Sequence, residues 1–260
     1  MIRNKIRNIY LELFGLFKNP KPGIHIMNAH FVTPDSHDKS QDYKIFENFL
    51  KSLQKKTVFI KIEDAIERLE NKKIRGSDAL VSFTFDDGFE ECYTVIAPLL
   101  EKYGTRGAFF INANYISSDD DYQVEFNKRI DTYTKKPMSW KQVIDLHERG
   151  HLIGSHNLDH TNFADLSLDE TSEQLKKNKE ILEEKLNYKC DYFAWTYGQF
   201  QHFPEEALIE TKKFHKYIFS GTNYKKYFSW EESVINRRHI EPFWPTSHIN
   251  FFLSVNKKFK

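Results

Sequence analysis

Two cysteines stand among the 260 residues, Cys92 and Cys190, far apart and in no CxxC or zinc-ribbon spacing. That scarcity excludes a disulfide framework and a cysteine-built metal site, and it is compatible with a reducing compartment. An excess of charge of either sign is also missing: 38 Lys and Arg face 37 Asp and Glu. A near-neutral chain has no electrostatic footprint for nucleic acid, so none is expected as a partner. No apolar run approaches the length of a membrane span. The first residues lack the continuous apolar core and small-residue cleavage site of a secretory signal, so a cytoplasmic protein is expected. Internal repeats and linker-like stretches are absent too, which argues for one domain of the size that buries a large core.

What the N-terminus does have is a pattern. Arg3, Lys5, Arg7 and Lys18 interleave with Ile2, Ile6, Ile9, Tyr10, Leu13, Leu16 and Phe17 at helical spacing. Residues 1–22 are therefore read as an amphipathic helical extension before a main domain at 23–260, ended by Pro20-Lys21-Pro22-Gly23. Such a helix either packs on the domain or lies on an anionic membrane surface, at the inner face for a cytoplasmic protein.

Beyond it, short β-prone runs alternate with helical patterns about seven times. Strands are expected at 24–32, 57–62, 80–85, 108–111, 151–155, 192–195, 216–220 and 234–240. Between them, helices are expected at 43–53, 63–69, 90–103, 140–149, 168–186 and 204–214, with a polar loop at 35–42, an Asp-rich excursion at 112–137 and a closing helix within 247–260. The alternation predicts an α/β domain with a parallel sheet, open or closed.

Two stretches carry candidate chemistry. Leu80–Phe85 is a buried-strand pattern that ends in Asp86-Asp87-Gly88, and parallel strands deliver functional groups at their C-terminal ends. Gly154-Ser155-His156-Asn157-Leu158-Asp159-His160 likewise follows a short strand. One turn of helix would set His156 and His160 on one side. Two imidazoles and a carboxylate are a common ligand set for a catalytic divalent ion, with Asp86 or Asp87 as the third ligand.

With these residues in view, the chain resembles the polysaccharide deacetylases (NodB homology, carbohydrate esterase family 4). Thr84-Phe85-Asp86-Asp87-Gly88 is similar to their first signature and Gly154-Ser155-His156 through His160 to their second. Phe193-Ala194-Trp195-Thr196-Tyr197-Gly198 is similar to the third in degenerate form, with Ala194 and Thr196 in place of an Arg and a Pro. The resemblance implies a distorted seven-stranded (β/α) barrel in a single domain. It implies a divalent metal, usually zinc, held by Asp87, His156 and His160, with Asp86 as general base and the backbone N–H of Tyr197 as oxyanion donor. The family's final Leu-His signature has no clear copy. Ile235-Asn236-Arg237-Arg238-His239-Ile240 is instead similar to the Arg-containing last strand of members tied to surface-polysaccharide synthesis. By that likeness Arg237, with Arg238 next, orients Asp86. His239 alternates onto the same strand face as Arg237 and is a candidate general acid, with His30 as its rival.

His202, His215 and His248 are read as surface or structural. Trp140, Trp195, Tyr197, Phe243 and Trp244 are candidates for a sugar platform, Trp244 first among them. The expected partner is an acetylated sugar or oligosaccharide, such as a lipid-linked or nucleotide-linked one. The rival expectations are removal of another small acyl group such as formyl, and an inert carbohydrate-binding protein that kept the barrel.

Overall fold

The computed structural model describes residues 2–34, 38–74, 76–132 and 134–259, and the backbone alone for residues 2–6. Helix α1 (Ile2–Gly15) precedes β1 (Gly23–Ala29), α2 (Lys39–Gln54), β2 (Val58–Phe59), α3 (Ile62–Glu70) and β3 (Ala79–Phe85). A π-helical turn, Cys92–Ile96, runs into α4 (Ala97–Lys102), followed by β4 (Gly107–Ile111), α5 (Asp120–Arg129), α6 (Trp140–Glu148) and β5 (Leu152–Ser155). The second half holds α7 (Leu168–Leu186), β6 (Tyr192–Ala194), α8 (Glu205–Thr211), β7 (Tyr217–Ser220), β8 (Phe228–Ser229), β9 (Val234–Asn236), β10 (Arg238–His239) and α9 (Thr246–Leu253).

The sheet runs β10-β1-β3-β4-β5-β6-β7-β9-β8, with β2 added beside β3. Every pairing in it is parallel except β8 with β9. Strands β9 and β10 are two halves of one extended segment, separated only by Arg237. The first half pairs with β7 (Phe219 opposite Ile235) and the second with β1 (Met27 opposite Arg238). The order is therefore circular, and seven parallel strands close on themselves once the broken strand is counted as one. This is the parallel α/β sheet that the alternation predicts, in the distorted seven-stranded form that the resemblance implies, with β2 and β8 as additions.

Alternation along the strands explains the closure. On β4, Phe109 and Ile111 join the cluster formed with α2, α4 and α6, through Phe46, Phe49, Leu99 and Leu146. Ala108 and Phe110 join a second cluster with Ile24, Ile26, Phe219 and Ile235. A sheet buried on both faces needs such near-continuous apolar strands. The helices start where side chains satisfy their first N–H groups: Ser139 and Ser167 form capping boxes with Gln142 and Glu170.

Several boundaries differ from expectation. The first strand stops at Ala29 rather than residue 32, leaving His30 at a strand end. Helix α2 begins at Lys39, capped by the Asp38 side chain, so only part of the polar run is loop; its residues 35–37 lie outside the described residues. Pro98 sits in the first turn of α4, where its missing N–H costs nothing, and the segment before it is π-helical. The excursion 112–137 contains α5. It is tied down by Lys135, whose buried ammonium meets Glu91 at 2.5 Å and the Thr33 carbonyl at 2.6 Å.

Candidate active site

Strand β3 ends at Phe85, and the chain then turns sharply. The Gly88 N–H reaches back to the Asp86 carbonyl at 3.0 Å, with Asp87 at φ 76° and Gly88 at φ 87°. A non-glycine residue held there is strained, and such strain persists where surrounding structure fixes it. Here the Asp86 N–H is bonded to the Ala29 carbonyl, and the Gly88 carbonyl to Met138 N–H. The turn sends the adjacent carboxylates in different directions, both buried.

Asp86 faces Arg237. The guanidinium grips it at both oxygens, each at 2.7 Å. Arg237 is itself fixed by the Ser220 carbonyl, the Thr84 hydroxyl and the face of Phe110. Its position at the break between β9 and β10 turns it inward. Arg238 points the other way, onto the Phe252 and Val255 carbonyls, and plays no part in orienting Asp86. Burial pushes the Asp86 carboxyl up, but Arg237 and the nearby histidines outweigh it and hold the pKa below the usual range.

Asp87 faces two imidazoles. Its Oδ1 lies 3.4 Å from His156 Nε2 and 3.3 Å from His160 Nε2. These separations are long for hydrogen bonds, and Oδ1 is a buried acceptor with no hydrogen-bond partner among the described residues. They do match tetrahedral coordination, in which ligands ~2.0–2.1 Å from a zinc ion stand roughly 3.3–3.4 Å apart. His156 Nδ1 is 2.7 Å from the Ala194 carbonyl, which fixes the tautomer with the Nε2 lone pair toward Asp87. Two imidazole nitrogens converging on an orphaned buried oxygen thus fit a divalent ion.

The two histidines meet by a different route from the expected helical turn. Residues 156–160 form a loop, with Asn157 at φ 57° and His160 at φ 54°. The Asn157 carboxamide oxygen accepts from the His160 N–H at 2.6 Å and closes it. Buried Asn178 on α7 braces the base of the site, accepting from Ala113 N–H and donating to the Ile111 carbonyl and the Ser155 hydroxyl.

A cavity of about 570 Å³ opens over these groups. Tyr197 and Gly198, at φ 60° and 63°, bring the backbone after β6 to its wall, with the Tyr197 ring edge-on to His160 at 4.8 Å. Phe243 and Trp244 line the same cavity. Trp195 does not: it is fully buried and stacked on Phe203, so it is core and no sugar platform. Trp140 packs at the edge of the main core, away from the cavity.

On the opposite wall, His30 and His239 converge on a residue that sequence reading missed. Glu241 Oε1 lies 2.6 Å from His30 Nδ1 and 3.0 Å from His239 Nε2, and Oε2 accepts from the His30 N–H at 3.2 Å. These are hydrogen-bond lengths, shorter than the separations around Asp87, so the two imidazoles hydrogen-bond to the carboxylate between them. Burial pushes His30 down, but the Glu241 carboxylate overrides it and raises its pKa to about 9. Burial likewise pushes Glu241 up, and the two histidines bring it down to about 2. A clue existed in sequence, an acid two residues beyond a candidate histidine. Its pairing with His30 depends on β1 lying beside β10.

Residues 73–213 match the family described as Polysaccharide deacetylase. The protein YlxY of Bacillus subtilis (strain 168), itself described as uncharacterized, is 24% identical over 167 residues, covering 62% of this chain and 46% of that protein. A chitin deacetylase of Arthroderma benhamiae is 26% identical over 149 residues, 52% of this chain and 35% of that protein. The chain spans half or less of the length of these curated relatives. Among solved structures, IcaB from Ammonifex degensii superposes with a TM-score of 0.70 at 18% identity, covering 91% of this chain and 99% of that one. The Streptococcus pyogenes deacetylase PplD, solved with acetate, gives a TM-score of 0.65 at 18% identity, covering 90% of this chain and 99% of that one. At such identity the two likenesses show the fold.

Proposed function

The chain belongs to the polysaccharide deacetylase family, and from that premise we propose that it removes the N-acetyl group from an acetamido sugar by metal-dependent hydrolysis. The observation that carries this reading is the division of labour at the end of β3. One carboxylate is locked to an arginine; its neighbour faces two imidazoles at coordination spacing.

A divalent ion, most readily zinc, would be held by Asp87, His156 and His160, and when bound supplies Lewis-acid polarisation of the acetamide carbonyl and a lowered pKa for water. The rest falls to the chain's own groups. Asp86, ionised because Arg237 holds it so, takes the proton of the attacking water on a free oxygen lone pair. The Tyr197 N–H, brought to the cavity wall by its left-handed backbone, supports the oxyanion of the tetrahedral intermediate. His30, kept protonated by Glu241 at Nδ1, presents Nε2 as the donor to the departing amine. His239 spends its own Nε2 on the same carboxylate, which supports His30 as the acid in preference to it. Acetate and the free amino sugar leave.

We further read the substrate as a sugar of surface polysaccharide or glycoconjugate synthesis, because the last strand, with Arg237 on Asp86, is similar to members tied to that process. The test combines metal analysis with amine release from N-acetylated oligosaccharides. Wild-type protein should bind one divalent ion and release amine. His156→Ala should lose the ion, and Asp86→Asn should keep it while losing activity by ~10²–10⁴-fold. Full metal content with no hydrolysis of any acylated sugar, formylated ones included, would instead identify a binding protein.

A further inference from the structure

A feature that the catalytic reading leaves unused lies on α1 and the turn that follows it. Ile9, Tyr10, Leu13, Phe14, Leu16 and Phe17 are each about half or more exposed, and Phe17 reaches 87%. They are six of the twelve exposed large apolar side chains among the described residues, gathered within nine positions. The other side of the helix is already committed. Leu11 is buried, and Gly15 sits so close to α9 that a Cβ there would lie 1.9 Å from the Ser247 carbonyl oxygen. Packing on the domain has used the Leu11–Gly15 stripe, with the Tyr10 ring edge-on to Phe251 of α9 at its margin, and has left the wider apolar face half or more exposed, the reverse of an ordinary surface helix. Contiguous exposed apolar surface of this kind marks an interaction site.

Charge identifies the occupant. Residues 1–22 contain Arg3, Lys5, Arg7, Lys18 and Lys21 against Glu12 alone, five positive minus one negative, or +4. Arg7, Lys18 and Lys21 are exposed. A second copy would bring like charges together. An anionic lipid surface accepts both features, since apolar side chains enter the headgroup–acyl boundary while Lys and Arg meet the headgroups. Among the described residues no helix is long and apolar enough to cross a membrane, so the contact is one of lying on the surface. We propose that residues 7–21 dock the protein on an anionic bilayer. Helix α9, on which α1 rests, starts two residues after Trp244 of the cavity wall, so bilayer and cavity are linked through one short element. The docking is independent of the chemistry proposed above, and its readout is binding rather than turnover.

The experiment is co-sedimentation of the full chain with vesicles of phosphatidylcholine alone and of phosphatidylcholine with phosphatidylglycerol in equal parts. The protein should pellet with the anionic vesicles, weakly with neutral ones, and less as salt rises. Leu13→Gln with Phe17→Gln should lower the partition coefficient about tenfold or more. Lys18→Gln and Lys21→Gln should each lower it about fivefold on anionic vesicles only. All four positions are solvent-facing, and unchanged circular dichroism would show the fold intact. No binding of wild type to anionic vesicles, or equal binding by the apolar double variant, would overturn the proposal. So would a wild-type dimer that the same double variant converts to monomer, which would assign the face to a second copy.

Discussion

Replacing Glu241 by Gln keeps the size of the side chain and an oxygen for His30 Nδ1, but removes the charge that raises His30 to about 9. Without it, burial is no longer outweighed and the pKa falls. The sign is fixed: a raised pKa keeps the imidazolium present up to about pH 9, and the variant loses it at lower pH. At pH 8 the wild-type ring is still mostly protonated and the variant's much less so, which lowers kcat/KM if His30 is the acid. At pH 6 more of the variant is protonated, and the loss is smaller. The His30 side chain is 30% exposed and partly screened by water, so a loss on the order of tenfold at pH 8 is expected. The assay is the pH profile of kcat/KM for amine release by metal-loaded protein, beside an NMR titration of the His30 ring. A deficit of equal size at pH 6 and pH 8 would refute the reasoning, because a purely structural role lowers activity at every pH. So would an unmoved His30 titration.

Two further outcomes test the packing around the site. Arg237→Met leaves the buried Asp86 carboxylate without its partner, which costs about 3–5 kcal/mol and lowers Tm by on the order of 10 °C. A shift of under about 3 °C in a calorimetric scan would contradict that burial argument. Gly154→Ala would place a Cβ 2.6 Å from the Phe110 ring, directly under the strand that presents His156. Denaturant unfolding should show a loss of about 1–3 kcal/mol, and an unchanged midpoint would mean that the ring moves aside freely.

Much of the fold was legible because it is written in local pattern. Each strand is a short apolar run with a polar turn after it, and the alternation with helices admits few topologies. The site's outline was legible for the same reason, since Asp86-Asp87-Gly88 and His156 through His160 are each compact stretches at strand ends. The geometry inside them was less so. The four-residue spacing of His156 and His160 suggests a helical turn, yet a loop with two left-handed residues and an Asn157 clamp brings the rings together. The same spacing serves either backbone. Trp195 stands beside Tyr197 among the sugar-platform candidates, and the packing of Phe203 against it shows that it is core.

Some choices no local reading can make. Arg237 and Arg238 are neighbours of one type. Which one turns inward depends on where the last strand breaks as it passes from β7 to β1. Glu241 meets His30 across 211 positions of chain because β10 lies parallel to β1. The sequence by itself determined the strand–helix alternation, the acids and imidazoles available, and the unusual apolar face of the first helix, since all of these depend on spacing along the chain. Tertiary structure alone decided which histidine is held charged and which side of α1 stays in water, because those follow from the register of distant strands and the packing of α1 on α9.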